Sequence, residues 1–114
     1  MHTDRRERPR ASCVLPVRLM PLGERTIIET LTKNVSTGGV KCISSIERPV
    51  GTRMSVELDL GDRREPVRAR GLVSWFGMVP DSDQFFIGIT FTELEPDDRR
   101  HLSGYLDKLL HASV

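Results

Sequence analysis

Aromatic residues are scarce in this 114-residue chain, which has four phenylalanines, one tryptophan and one tyrosine. Barrels that bind single-stranded nucleic acid use several aromatic platforms for base stacking. An excess of positive charge is also lacking, because 17 lysines and arginines stand against 16 aspartates and glutamates, giving a formal net charge of +1. Domains that bind long nucleic acids are usually strongly basic overall. Both shortages argue against a general surface for RNA or DNA.

Cysteine and histidine are too few and too scattered to form a metal site by their spacing. The residues concerned are Cys13, Cys42, His2, His101 and His111. No serine or cysteine has a neighbouring histidine in a catalytic pattern, so the chain is not expected to be an enzyme. No segment reaches the ~18 apolar residues of a membrane span, and no apolar stretch follows the basic N-terminus as in a secretory signal. We therefore expect a cytoplasmic protein with reduced thiols and no membrane insertion.

Short apolar segments with a period of two occupy the middle of the chain and are separated by turn-forming residues. Six strands are predicted, near residues 14–20, 26–32, 40–44, 54–60, 67–75 and 85–91. A proline at position 16 indicates that the first of these strands is at an edge or contains a bulge. Short strands at this regular spacing favour an antiparallel barrel or sandwich.

The C-terminal segment changes to a helical period, and Pro96 suits a first helical residue. Its apolar stripe consists of Leu102, Tyr105, Leu106, Leu109 and Leu110. Such a helix is marginal alone and must pack its stripe against the barrel or a partner. The predicted organisation is a flexible arginine-rich arm at residues 1–11, a β-barrel at 12–94 and a packed helix at 95–112, together one domain.

Residues outside the polar motifs are predicted to have structural roles. Trp75, Phe85 and Phe91 are expected in the core, because each lies on the face of a strand-like segment where apolar residues recur at every second position. His101 and His111 are expected at the helix surface, since neither has a metal-binding residue at a suitable spacing.

Two polar motifs stand out from this background. Four arginines, at Arg5, Arg6, Arg8 and Arg10, are followed by a predicted loop, Asn34-Val35-Ser36-Thr37-Gly38-Gly39. Taken alone, the Arg6-x-x-x-Arg10 spacing fits a solvated basic tail, and the second motif fits an ordinary turn. Taken together, forked guanidinium groups and a glycine-containing polar loop indicate a site for a small ligand with phosphate and a hydrogen-bonding base.

The order of these motifs resembles that of the PilZ domain, a bacterial receptor module for cyclic di-GMP. The matching segments are Arg6-x-x-x-Arg10, Leu15-Pro16-Val17, Asn34-x-Ser36-x-x-Gly39, Gly71–Trp75 and Phe86–Leu94. The resemblance extends from about Arg5 to Leu110. It implies a six-stranded antiparallel β-barrel with a C-terminal α-helix and no attached output domain.

The resemblance also implies a ligand site and a mode of signalling. The implied site for cyclic di-GMP, with no further cofactor, consists of Arg5, Arg6, Arg10, Asn34, Ser36, Gly38 and Gly39. Arginine can grip the O6 and N7 edge of guanine, stack on the base and pair with phosphate. Glycines allow close backbone approach and positive φ. In the family, an arginine at the position of Arg5 is associated with binding a stacked nucleotide dimer. We expect the arm to become ordered on the ligand and to signal to a protein partner.

Two other functions remain open. The chain could be a PilZ-like interaction module that does not use nucleotide, which a large exposed apolar patch would favour. It could also be a small barrel that binds nucleic acid through its basic arm, which strongly salt-dependent binding of an oligonucleotide would favour.

Overall fold

The computed structural model describes residues 11–111, which form seven strands and one helix. The elements are β1 (Ala11–Ser12), β2 (Pro16–Pro21), β3 (Ile28–Ser36), β4 (Gly39–Ser44), β5 (Arg53–Leu58), β6 (Val67–Met78), β7 (Phe85–Leu94) and α1 (Pro96–His111). All pairings are antiparallel, in the order β3-β2-β5-β6-β7-β4, and β4 pairs back with β3. The predicted six-stranded barrel with a C-terminal helix is confirmed. The short β1 is an addition to β3, and it includes Ala11, which the sequence assigned to the arm.

The barrel interior is filled by apolar side chains that alternate along the strands. In β5, Met54, Val56 and Leu58 are at most 1% exposed, whereas Ser55 and Glu57 between them point outward and are partly exposed. Burying a side chain of this size contributes about 1.5–3 kcal/mol relative to leaving it in water. The period-two pattern in the sequence therefore identifies the inner face of this strand correctly.

Opposite charges face one another across the outer surface of four neighbouring strands. Arg18 of β2 lies opposite Glu29 of β3 and Glu57 of β5, with N–O distances of 3.4 and 3.6 Å. Glu57 also meets Arg68 of β6 at 3.4 Å. Cross-strand pairs of this kind contribute about 0.2–1 kcal/mol each. Their larger role is to specify register, because a slip of one residue would turn these charges into the core.

Pro16 does not lie on an edge strand, so that part of the prediction is wrong. It begins β2, which is hydrogen-bonded on both sides, to β3 and to β5. A sheet tolerates proline at the first position of a strand, where the missing N–H matters least. The Pro16 carbonyl still accepts a hydrogen bond from the Asp59 N–H at 3.0 Å.

Trp75 is not a core residue, which corrects the alternation predicted for its strand. The pairing of β6 with β7 shifts between Val73 and Trp75, as in a β-bulge. A bulge inserts one extra residue, so the inward and outward positions exchange beyond it. Val73 is 1% exposed, whereas Trp75 is 44% exposed on the outer face. Of the other two predicted core aromatics, Phe91 packs against the core and Phe85 is half-buried.

The helix packs on the barrel by the predicted stripe. Leu102 and Leu106 are buried, Tyr105 and Leu109 are partly buried against the core, and Leu110 is 41% exposed at the margin of the stripe. Within the described residues, no helix has both the length and the apolar character needed to cross a bilayer.

His101 is not a surface residue, in contrast to the prediction. Its side chain is only 7% exposed, and its Nε2 lies 2.6 Å from Oδ2 of Asp62. Asp62 belongs to the turn between β5 and β6, so this contact ties the helix to the barrel. His111, in the last turn of the helix, is exposed as predicted.

Asp62→Asn is expected to reduce the acid sensitivity of the fold. The hydrogen bond from His101 holds the pKa of the Asp62 carboxyl below its ordinary value. A carboxyl whose pKa is lowered by folding stabilises the protein above its unfolded pKa of about 3.9, and this contribution disappears as the pH falls through the folded-state pKa. Urea unfolding should therefore show that the wild type has a larger free energy of unfolding than Asp62→Asn at neutral pH, and that this difference shrinks below about pH 4. Asp83→Asn, in an exposed turn, is the control. A difference independent of pH would contradict the assigned role of Asp62.

The two cysteines are free thiols, as predicted. Cys13 donates its N–H to Lys33 on one side of β3, whereas Cys42 lies opposite Thr32 on the other side. Two strand spacings amount to about 10 Å, beyond the ~7 Å limit between the Cα atoms of a disulfide. Burial raises the pKa of the Cys42 thiol to about 12.

Candidate functional site

The predicted polar loop is a tight β-hairpin. Asn34 and Ser36 end β3, Thr37 and Gly38 form the turn, and Gly39 begins β4 opposite Ser36. The expectation of an irregular loop over the whole motif is therefore wrong. The motif contains strand-compatible residues on both sides of a two-residue turn, and barrel closure by β4 draws them into the sheet.

The two glycines of the hairpin do not have the positive φ that the sequence suggested. Among the described glycines, positive φ occurs at Gly23, Gly51 and Gly61. Gly39 is required instead by the approach of β7, because a Cβ at this position would lie 2.1 Å from the Ile89 carbonyl oxygen. The Gly38 carbonyl accepts a hydrogen bond of 2.8 Å from the Phe91 N–H. This end of the hairpin thus packs directly on the neighbouring strand.

Ser36 has a local structural role in the hairpin. It is 2% exposed, and its hydroxyl oxygen accepts a 3.0 Å hydrogen bond from the Gly38 N–H. A serine hydroxyl that accepts in this way closes the turn and still has a proton to donate. The Ser36 side chain therefore stabilises the turn and keeps its hydroxyl proton for one further hydrogen bond.

Asn34 lines a cleft on the outer face of the barrel, about 260 Å³ in volume. The other lining residues are Val40, Lys41, Ser74, Trp75, Gly88, Ile89 and Thr90. Two larger grooves, of about 450 and about 490 Å³, contain none of the predicted site residues within the described part of the chain. Among the described residues of the polar motif, Asn34 is thus the one that connects the motif to this smaller cleft.

Lys41 and Trp75 are cleft residues that the sequence did not indicate. The Lys41 Nζ lies 5.5 Å from the ring centre of Trp75 and 4.5 Å from that of Phe86, within the range of cation–π attraction. The Trp75 indole lies on Gly88, where a Cβ would be 2.2 Å from its Nε1. Gly88 lies directly opposite Trp75 in the antiparallel pairing of β6 with β7, and its missing side chain makes room for the ring. The contact depends on this pairing, so the sequence carries no local signal of it.

The start of the described chain lies beside the polar hairpin. Ala11 pairs with Val35 and Ser12 pairs with Asn34. Arg5, Arg6, Arg8 and Arg10 fall outside the described residues. Covalent geometry limits their reach, since the Cα of Arg10 is about 3.8 Å from that of Ala11, and the Cα of Arg6 is at most about 18 Å away. The pairing of β1 with β3 therefore brings the origin of the arm to the strand that carries Asn34 and Ser36.

Several solved structures have a similar fold. The PilZ domain of YcgR from Escherichia coli with c-di-GMP aligns with a TM-score of 0.75 at 16% identity, covering 96% of this chain and 95% of that one. The inhibitor of motility MotI/DgrA from Bacillus subtilis aligns with a TM-score of 0.78 at 20% identity, over 95% of this chain and 53% of that one. The K. pneumonia MrkH–c-di-GMP complex aligns with a TM-score of 0.72 at 17% identity, over 97% and 55%.

These identities establish likeness of fold, and the chain spans about half the length of the MotI/DgrA and MrkH chains. No curated protein matches the chain significantly in sequence. A family model described as the PilZ domain matches residues 4–108, which is nearly the whole chain. With the closed six-stranded barrel and the packed C-terminal helix, this match shows that the chain belongs to the PilZ domain family.

Proposed function

We propose that this protein is a receptor for cyclic di-GMP that acts through a protein partner and has no catalytic activity. One observation carries the proposal: β1 pairs with β3 at Asn34 and Val35, so the arginine arm begins next to the polar hairpin. The presence of c-di-GMP with the PilZ domain of YcgR and with MrkH, both of similar fold, supports the same ligand for this chain.

The binding role assigned to the arm follows from its point of attachment. Arg10 directly precedes Ala11, which pairs with Val35, so the arm is joined to the chain beside the strand that carries Asn34 and Ser36. From there, the guanidinium groups of Arg10 and Arg6 can grip a guanine edge, stack on a base or pair with phosphate. We assign to Arg5 the binding of a second nucleotide, as the family pattern implies.

The hairpin and the cleft supply the other half of the proposed site. Asn34 and the Ser36 hydroxyl offer hydrogen bonds to base or phosphate. Gly38, half-buried in the turn, presents backbone without a side chain that a phosphate can approach, whereas Gly39 contributes by packing the hairpin on β7. The Trp75 indole, 44% exposed, offers a face for a purine, and the nearby Lys41 adds positive charge.

Cyclic di-GMP is expected to bind with a saturable heat and to change the intrinsic fluorescence of the protein. Trp75 is the single tryptophan of the chain and lines the cleft, so its emission reports directly on this site. Calorimetry and fluorescence should give the same midpoint, with GTP as the control nucleotide. A stoichiometry of two per chain is expected if Arg5 binds a second nucleotide. If no binding is detected with about 50 µM cyclic di-GMP, any binding free energy is weaker than about −6 kcal/mol, and the assignment of this protein as a cyclic di-GMP receptor is wrong.

One observation favours the alternative of an interaction module that does not use nucleotide. Phe76 and Met78, in the part of β6 that extends beyond its pairing with β5, are 38% and 70% exposed. Exposed apolar side chains at a strand end suit a protein partner. The same titration separates the two functions, because a module that ignores nucleotide gives neither heat nor a fluorescence change.

A further inference from the structure

Three residues that belong to no strand, Cys13, Val14 and Leu15, connect β1 to β2. A buried threonine hydroxyl forms hydrogen bonds to both ends of this connection. Thr32 of β3 is 0% exposed. Its Oγ1 accepts a hydrogen bond from the Leu15 N–H at 3.0 Å and donates one to the Cys13 carbonyl at 2.8 Å. One side chain thus satisfies a donor and an acceptor that the irregular segment withdraws from the sheet.

The two sides of this segment are held to different degrees. On the β2 side, Leu15 is buried in the core and its carbonyl accepts a hydrogen bond from the Thr32 N–H at 3.0 Å. On the β1 side, within the described residues, Cys13 packs against the core, but its backbone bond to the Lys33 carbonyl is long, at 3.3 Å. Val14 is 64% exposed and gives no anchorage in the core. A register shift of one residue would turn the side chains of β1 toward the opposite face and would move the point where the arm is attached by about 3.4 Å along β3.

We propose that Thr32 is a positioning residue for the arginine arm: its hydroxyl fixes the register of β1 on β3 and so sets where Arg6 and Arg10 meet a ligand held at Asn34 and Ser36. This inference rests on the proposed function and adds to it a residue that lies outside both polar motifs. Thr32 acts through β1 and does not itself contact the ligand.

Thr30 provides a matched control on the same strand. Its hydroxyl also donates to a backbone carbonyl, that of Ile43, at 2.6 Å. Ile43 belongs to β4, on the side of β3 away from β1 and β2. Thr30→Val therefore removes a comparable hydrogen bond while leaving the attachment of the arm intact.

The first test is calorimetry with cyclic di-GMP on the full chain. Thr32→Val is expected to weaken binding about tenfold or more, a change of about 1.4 kcal/mol. Thr32→Ser, which keeps the hydroxyl, should restore the wild-type affinity, and Thr30→Val should leave it unchanged even though its melting temperature falls. Wild-type affinity in Thr32→Val would overturn the inference. If Thr32→Val does not fold, Thr32→Cys replaces it in the same titration.

A thiol is a weak hydrogen-bonding group, so Thr32→Cys should give a smaller loss of affinity than Thr32→Val. Wild-type affinity in the cysteine variant would equally count against a positioning role.

The second test distinguishes positioning from general loosening of the fold. In an Arg10→Ala background, Thr32→Val should cause a smaller further loss of affinity than it does in the wild type, because only Arg6 is left for the arm to position, whereas fully additive losses would refute this route.

A third measurement does not depend on the nucleotide. Amide exchange at Cys13, whose N–H donates to the Lys33 carbonyl of β3, should accelerate in Thr32→Val and not in Thr30→Val. Unchanged exchange would reject the role of Thr32 even if the protein binds cyclic di-GMP. Conversely, wild-type protein that does not bind, combined with faster exchange in Thr32→Val, would reject the proposed function and retain the structural link.

Discussion

Replacing Arg6 and Arg10 together with alanine is expected to abolish measurable binding of cyclic di-GMP while leaving the melting temperature unchanged. A hydrogen bond to a charged group contributes about 1.5–3 kcal/mol, so each single substitution should weaken binding by roughly one to two orders of magnitude. The barrel closes through strands β2 to β7, whose pairings do not involve these residues. Calorimetry gives the affinity, and circular dichroism gives the melting temperature.

Arg8 is the matched control for these substitutions, because it lies in the same arm and carries the same charge but stands outside the motif. Arg8→Ala should bind within about threefold of wild type, the small loss expected from long-range charge alone. Arg5→Ala should lower the stoichiometry from two nucleotides to one. Equal losses of affinity on replacing Arg6, Arg8 or Arg10 with alanine would indicate general electrostatic attraction. Wild-type affinity in the double variant would show that the arm does not contribute to binding.

Gly39→Ala is expected to be among the most destabilising single substitutions in the barrel. The added Cβ would lie 2.1 Å from the Ile89 carbonyl oxygen and 3.2 Å from the Thr90 Cα, and backbone atoms cannot move aside as a flexible side chain can. The β4–β7 pairing, which runs from Gly39 opposite Thr90 to Ser44 opposite Phe85, must then separate at this end. We expect a loss of about 4 kcal/mol, close to the total stability of many small domains.

Thermal unfolding followed by circular dichroism tests this expectation, and Gly104→Ala is the control. Gly104 lies in the helix, and a Cβ there would meet no atom within 4 Å. Its replacement should stabilise the protein by about 0.5–1 kcal/mol, because alanine suits a helix interior better than glycine does. A wild-type melting temperature for Gly39→Ala would mean that the strands β4 and β7 separate easily at this point.

The sequence was sufficient to predict the elements whose apolar pattern has a simple period. The strand around Met54, Val56 and Leu58 and the helix starting at Pro96 both appear where the pattern placed them. Each depends on a local rule: alternate residues face the core in a strand, and every third or fourth residue does so in a helix. Such rules act on neighbours in sequence and need no knowledge of the rest of the fold.

Positions that depend on a second strand were predicted less well. The bulge after Val73 moves Trp75 to the outer face, and the contact with Asp62 buries the His101 side chain. Neither change has a local sequence signal, because the bulge is defined by pairing with β7, and Asp62 is 39 residues before His101. For the same reason, Lys41 and Trp75 were not recognised as lining the cleft beside Asn34.

For the proposed site, the sequence by itself determined the chemical groups: forked cations in the arm, and hydrogen-bonding and glycine positions in the motif Asn34–Gly39. Only the tertiary structure decided that the described chain begins beside the motif Asn34–Gly39, since it pairs β1 with β3 and bridges the segment before β2 through Thr32. It also decided that Gly39 serves strand packing in place of a left-handed turn. The physical reason is that residue type sets which bonds a group can form, whereas the distance between two groups remote in sequence is set by the pairing of the strands that carry them.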